Sequence, residues 1–149
     1  WHLFATHTAS FDTDEARKLR QIQFGQIRSL AASLKIPATD TVIYGGDFNV
    51  NKRKFADDYA GMLANLNADE PVYGGYTEAT FDPRLNPYAG GPLSGGANVE
   101  YLDYLVVSRE YGAASHNLNS VWIPRSSDGS LWPASNLSDH FPVKGEISR

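Results

Sequence analysis

Two short segments of this chain bring together side chains able to do acid–base chemistry. The first is Gly46-Asp47-Phe48-Asn49, directly after the apolar run Thr41-Val42-Ile43-Tyr44-Gly45. In extended backbone, side chains two residues apart point the same way. Asp47 and Asn49 then converge on one point, and Gly46 permits close backbone approach beside them. A carboxylate and an amide so placed can position a water and donate to a phosphoryl oxygen. An Asx-type turn closing the strand accounts for the same residues. The second segment is Leu137-Ser138-Asp139-His140-Phe141-Pro142-Val143. Imidazole titrates near neutral pH and can accept a proton from water. The adjacent Asp139 could bind a cation or raise that basicity. An exposed polar loop before a Pro-bounded strand is the plainer account. Together the segments supply a base, carboxylates and an amide, which is what hydrolysis of a phosphodiester requires.

Other candidates need context. Asp103 sits inside Tyr101-Leu102-Asp103-Tyr104-Leu105-Val106-Val107, the clearest strand pattern in the chain. An unpaired carboxylate there is expensive, so it needs a partner. A histidine is a natural one, because such a pair fixes the tautomer and orientation of a general base. A salt bridge or a capped backbone group would also satisfy it. His7, between Thr6 and Thr8, could contact a phosphate oxygen or protonate a leaving group, although a lone histidine is more often structural. Asp82 and Asn86 fall in a long loop where turn chemistry explains both, and only context makes them substrate-binding candidates. Arg20 and Gln23 are read as helix-surface residues or braces for the following loop. His2 and His116 receive no role. The scattered aromatics Trp1, Tyr73, Tyr76, Phe81, Tyr88, Trp122 and Trp132 fit either core and rim positions or a lipid-facing, choline-binding surface.

The elements that must carry these groups are mostly legible. Residues 1–7 alternate as a strand does. Asp12-Thr13-Asp14-Glu15 resembles a capping box. Leu19, Ile22, Ile27, Leu30 and Leu34 then recur near helical spacing, giving a helix over 14–35 that Pro37 closes. The run 41–45 is a short buried strand, and Phe55 to Leu66 is a second helix with Phe55, Tyr59, Met62, Leu63 and Leu66 on one side. Residues 71–99 concentrate Gly and Pro and read as a mostly irregular loop region. Strands follow at 101–107, 117–123 and 141–147. The order β-α-β-α-loop-β-β-β implies a layered α/β class.

Composition narrows the function. The chain has 149 residues, 42% of them apolar, enough for one folded domain with a core. Its net charge of −4 argues against gripping nucleic acid by bulk electrostatics, so no stable nucleic-acid complex is expected. It has no cysteine, which removes disulfides and thiolate metal sites. No apolar run approaches the length needed to span a bilayer. Trp1 to His7 reads as a strand from its first residue, so the chain is expected to be a fragment or a processed product.

Taken together, Thr6-His7, GDFN at 46–49, YLDY at 101–104 and SDHFPV at 138–143 resemble the endonuclease/exonuclease/phosphatase superfamily of metal-dependent phosphodiesterases. Their order and spacing span nearly the whole chain. Arg20-x-x-Gln23-x-x-x-Ile27, Ala79-Thr80-Phe81-Asp82-Pro83, Glu100-Tyr101-Leu102-Asp103-Tyr104 and Asn136-Leu137-Ser138-Asp139-His140 make it most similar to bacterial neutral sphingomyelinases. The resemblance implies that residues 1–149 are the C-terminal portion of such a catalytic domain. It implies a layered sheet-and-helix half of a DNase-I-like four-layer α/β sandwich. It also implies Mg²⁺-dependent hydrolysis of sphingomyelin to ceramide and phosphocholine. His140 would be the general base and Asp103 its orienting partner. Asp47 and Asn49 would orient the nucleophile and stabilise the transition state, and His7 would contact the scissile phosphate. Asp139 would lie near the Mg²⁺ or another hard divalent ion. Implied partners are a phospholipid at a membrane surface and either the missing N-terminal half or a second copy. A secreted, extracellular location is implied in the same way.

Two departures bear on these expectations. The family's metal-ligating Glu has no counterpart here, so weak metal binding and low activity of the lone chain are expected. The late aromatic hairpin by which some members enter membranes has a polar tip here, Arg125-Ser126-Ser127-Asp128-Gly129-Ser130. A nuclease or phosphoinositide phosphatase on the same scaffold, and a non-catalytic binding or assembly fragment, are the alternatives.

Overall fold

A computed structural model describes residues 1–86, 88–89, 98–123 and 138–149. The chain begins with β1 (His2–Ala5), whose first-to-last path leads into the helix α1 (Asp14–Ser33) and back along β2 (Val42–Asp47). β1 and β2 are parallel, with His2 opposite Val42 and Ala5 opposite Gly45. Parallel strands need a crossover, and α1 supplies it. Thr13 caps α1, its hydroxyl accepting from the Ala16 amide. Ala16 stands where a capping box would carry Glu or Gln, so only half of that device is present.

α2 (Ala56–Leu66) follows and ends on Asn67 in the left-handed region, φ 45°. Then come β3 (Ala68–Asp69), β4 (Val72–Gly75), β5 (Asp103–Ser108), β6 (His116–Val121) and β7 (Val143–Ser148). The region read as irregular over 71–99 therefore holds β4. Its Tyr73-Gly74-Gly75-Tyr76 sequence reads as a turn, yet Gly74 and Gly75 pair with Ser120 and Val121 of β6.

The strands form two hydrogen-bonded groups, one ordered β1-β2-β5-β3 and one ordered β4-β6-β7. Side chains join them. The Asn119 carbonyl accepts from the Leu105 amide at 2.7 Å, and the Asn119 and Asn117 amides both donate to the Leu105 carbonyl. Leu105 itself lies where side chains on Gly45 and Gly145 would be, its methyl carbons 2.5 and 2.6 Å from those Cβ positions. A side chain at either position would have to displace those methyls.

The two helices cover one face of the first sheet. Phe24 and Ala31 of α1 and Met62 and Leu66 of α2 bury with Val42, Tyr44, Phe48, Tyr104 and Val106 in one core. The periodicity of α1 is real, but its direction is not the expected one. Leu19, Ile22, Leu30 and Leu34 are about half exposed, and the buried stripe is Arg20, Phe24 and Ala31. Arg20 is fully buried with both terminal nitrogens of its guanidinium bonded and its Nε left without a partner. It bonds the carbonyls of Ala9 and Phe11 and the Asp58 carboxylate of α2, at 3.0, 2.6 and 2.9 Å. Gln23 accepts from the Ala9 amide. Both residues thus brace the segment before α1, not the loop after it.

That brace yields a stability test. Arg20→Met keeps the apolar stem but leaves the Asp58 carboxylate buried without its cation. The expected cost is about 3 kcal/mol or more, read as a lower urea midpoint with an unchanged denaturant slope. A loss under about 0.5 kcal/mol would show that the buried pair is not structural.

Candidate active site

The site forms where β2 and β5 run antiparallel, with Asp47 paired directly opposite Asp103. Both side chains therefore leave the sheet on the same face, away from the helices. The polypeptide after Asp47 is held by the Phe48 amide on the Leu102 carbonyl, at 2.9 Å. Gly46 has φ 128°, and a Cβ there would sit 2.0 Å from the Thr6 carbonyl oxygen. Glycine at 46 is what lets the end of β1 close on the end of β2.

His140 arrives from the segment just before β7. Its Nδ1 lies 2.7 Å from Asp103 Oδ2 and its Nε2 3.8 Å from Asp47 Oδ2. His7, after β1, has its Nε2 3.3 Å from the same Asp47 oxygen and is 70% exposed. Asp47, Asp103 and His140 are each about four-fifths buried. One carboxylate oxygen thus sits between two imidazoles, and the second carboxylate fixes the buried imidazole. In the neutral imidazole with its Nδ1 proton donated to Asp103, Nε2 would carry the lone pair, facing outward toward Asp47.

Asn49 departs from the extended geometry expected of it. Its φ is 50°, its amide N–H donates to Asp47 Oδ1 at 2.9 Å, and its side-chain amide donates to the Thr8 carbonyl at 3.0 Å. The Asx-type turn is therefore the structure seen, and the Asn49 side-chain amide goes to a backbone carbonyl instead of converging with Asp47 on one point. Asn49 orients Asp47 and ties the 46–49 turn to the end of β1. Asp139 is exposed, with Oδ1 accepting from the Ser138 hydroxyl, beside the trio and not within it. Asp82 and Asn86 are fully buried. Both oxygens of Asp82 are held by Arg84. Asn86 donates to the Ser138 carbonyl at 2.9 Å and so steadies the segment that carries His140. His2, given no role, pairs with Asp40. Trp132 and the expected hairpin tip at 125–130 lie outside the described residues.

Three residues that residue type alone did not set apart, Thr80, Phe81 and Glu100, also contribute. Thr80 is fully buried, and its hydroxyl accepts the amides of Leu102 and Asp103, at 2.9 and 3.3 Å. Its carbonyl accepts the Phe141 amide at 2.7 Å. One residue thus grips the chain on both sides of the Asp103–His140 bond. Phe81 meets the His140 ring edge-on at 5.4 Å. Glu100, bonded to Asn51, adds a half-buried carboxylate whose pKa is raised by burial and by Asp12.

Proton affinities follow from the crowding of negative charge. Burial and then the Asp103 carboxylate raise the Asp47 pKa. Burial alone would discharge His140, but the Asp103 hydrogen bond and the charges of Asp103, Asp47 and Asp139 outweigh it and raise the imidazole to about 9. The protein alone therefore keeps His140 charged at neutral pH. A cation beside the carboxylates would cancel that field and free Nε2 to accept a proton. Asp47, Asp103 and His140 each offer a ligand atom within 4.8 Å of the others, a donor set that could hold a metal ion. Its two carboxylates suit a hard cation, with further oxygens needed to complete the shell.

No protein-family model matches the chain. Individual relatives do. It is 32% identical to a phospholipase C of Staphylococcus aureus, over 96% of this chain and 45% of that one. It is 30% identical to a sphingomyelinase C of Bacillus cereus, over 99% of this chain and 48% of the relative. The chain thus spans about half the length of the curated relatives it matches. Among solved structures, a beta toxin variant of S. aureus with bound magnesium ions superimposes with a TM-score of 0.81 at 30% identity, covering 99% of this chain and 52% of that one. An endonuclease/exonuclease/phosphatase family protein of Bacteroides thetaiotaomicron shares the fold alone, with a TM-score of 0.60 at 19% identity. The chain is related to the bacterial sphingomyelinases C, and its fold is the layered α/β half of a DNase-I-like sandwich that the motifs implied.

The raised His140 pKa sets the sign of a pH effect. The group binds its proton more tightly folded than unfolded, so its contribution is full below about pH 6.5 and fades as pH rises through about 9. Between those limits and without divalent cations, wild type should lose about 3 kcal/mol relative to His140→Gln. Urea titrations at both pH values measure it; parallel losses in the two proteins would remove the assigned pKa.

Proposed function

We propose, from that kinship, that this chain is the C-terminal catalytic portion of a divalent-cation-dependent phosphodiesterase that hydrolyses sphingomyelin to ceramide and phosphocholine. The observation that carries the reading is the Asp103–His140–Asp47 arrangement, with its oriented imidazole and its outward Nε2. In the proposed step His140 Nε2 takes a proton from water as the water oxygen bonds to phosphorus. The bond from phosphorus to the ceramide oxygen breaks, and His7 returns a proton to that oxygen. Asp103 holds the imidazole in its working tautomer and stabilises its charged form. Asp47, fixed by the Asn49 amide, sits between the two imidazoles and orients the water. Asp47 and Asp103 would hold the cation, with Asp139 near its waters. Mg²⁺ is the proposed ion, by likeness to the beta toxin structure. Bound there, it would offset the negative charge that grows on the phosphoryl oxygens.

The proposed partners follow from coverage and surface. Leu3 is 63% exposed, on the sheet face that also bears Asp47 and Asp103. The other half of a sphingomyelinase-length protein would cover it, and the lone chain is then expected to turn over slowly. The substrate would be met at a membrane surface outside the cell.

Phosphocholine release from sphingomyelin vesicles, with and without Mg²⁺, tests the reading, with DNA and inositol phosphates as competitors for the assignment. Release should need the cation, and His140→Ala should lower it by at least 10²-fold. Asp103→Asn should lower it as well and destabilise the fold, since an amide cannot replace the carboxylate on Nδ1. Cleavage of DNA alone would turn the assignment to a nuclease, and near-normal turnover by His140→Ala would remove the base.

A further inference from the structure

Away from the trio lies a cavity of about 580 Å³ whose walls include Lys52, Arg53, Tyr73, Tyr76, Glu78 and Tyr101. None of Asp47, Asp103, His140, Asn49 or His7 lines it. The volume falls within the range of small-molecule sites. Its charge is unbalanced. Arg53 is matched by Glu78, 3.0 Å away. Lys52 is half-buried and has no carboxylate at ion-pair distance among the described residues. Its ammonium rests instead on two ring faces, 2.9 Å from the Tyr73 centroid and 4.4 Å from that of Tyr101. Ring faces attract a cation but leave its three N–H donors without oxygen acceptors. Burial, with some opposition from Glu70, lowers the amine to about 8.

The walls are built in advance of any ligand. The Tyr73 hydroxyl is bonded to that of Tyr59, which donates onward to Glu70 at 3.2 Å. Tyr101 meets Tyr73 edge-on at 5.0 Å and lies 5.3 Å from the Tyr104 ring. Tyr101 is 2% exposed, and its hydroxyl has no hydrogen-bond partner. The cavity therefore carries ammonium donors without oxygen acceptors and a positive charge that no carboxylate among the described residues meets at ion-pair distance. A ligand that satisfies both brings anionic oxygens. A flat carboxylate suits a guanidinium fork, and the fork of Arg53 is already taken. A compact group with several acceptor oxygens suits the point charge of an ammonium.

We propose that this cavity is a second binding site that takes a phosphate-bearing ligand, with the phosphate at Lys52 and the organic portion along Tyr73 and Tyr76. The inference does not depend on the hydrolytic reading of the other site. The phosphate belongs either to a soluble ester or to a phospholipid headgroup. Calorimetric titration with glycerol 3-phosphate probes the first source. Co-sedimentation with phosphatidylcholine vesicles containing phosphatidic acid probes the second.

Wild type and His140→Ala should bind alike. Lys52→Met, which keeps the stem and removes the charge, should bind at least tenfold more weakly, and Lys52→Arg should retain most of the affinity. Lys52→Gln is a second charge-removing variant, and circular dichroism checks that each is folded. Binding of the ester assigns the site to soluble ligands, and binding of vesicles alone assigns it to headgroups; both support the proposal. Equal binding by the charge-removing variants, loss in His140→Ala instead, or no binding of either probe would overturn it.

Discussion

Two carboxylates face each other across a pair of strands, and most of the site exists to make that tolerable. Asp47 and Asp103 are cross-strand neighbours on one face, both largely out of water. Like charges directly opposite destabilise a sheet, and burial sharpens the repulsion. The fold answers with an imidazole between them, a second imidazole at the rim, and backbone and hydroxyl groups that keep all of these in place. The same repulsion that must be neutralised is what draws a cation or a proton to the spot. Structure and reactivity have one cause here.

Much of this was legible in the residues, and the failures have physical reasons. Asp103 in an apolar strand announced that it needed a partner, because burial of a bare carboxylate is too costly. The segments carrying His140, Asp47 and His7 also stood out, since a polar cluster at a strand end is visible without coordinates. Asn49 was misjudged in geometry because period-two alternation ends where the backbone turns left-handed, at φ 50°. In α1 the apolar spacing marked a stripe but not which stripe is buried. Arg20 won the interior because one guanidinium could satisfy two carbonyls and a carboxylate at once. β4 was hidden because paired glycines read as a turn, and Thr80 because its role lies in backbone partners far along the chain.

Precision at the site is borrowed from polar groups that never reach it. Arg20 anchors the segment ahead of α1, and Thr8 in that segment receives the Asn49 amide. Thr80 holds the strand that carries Asp103, and Asn86 the segment that carries His140. Each of these side chains is buried and bonded to backbone, Arg20 to the Asp58 carboxylate as well, so rotamer freedom has been removed where it would blur the geometry. His7 and Asp139, by contrast, are exposed at the edge of the trio.

The joint between the two strand groups runs through Leu105, two residues from Asp103, and rests on the amides of Asn117 and Asn119. His140 belongs to the β7 side of that joint and Asp103 to the β5 side. The hydrogen bond between them is therefore also a rivet across a mechanical seam. Any parting of the two strand groups at the seam would lengthen that bond and weaken one of the contacts that raise the imidazole's proton affinity. The ring resonances of His140 would act as a strain gauge for that seam.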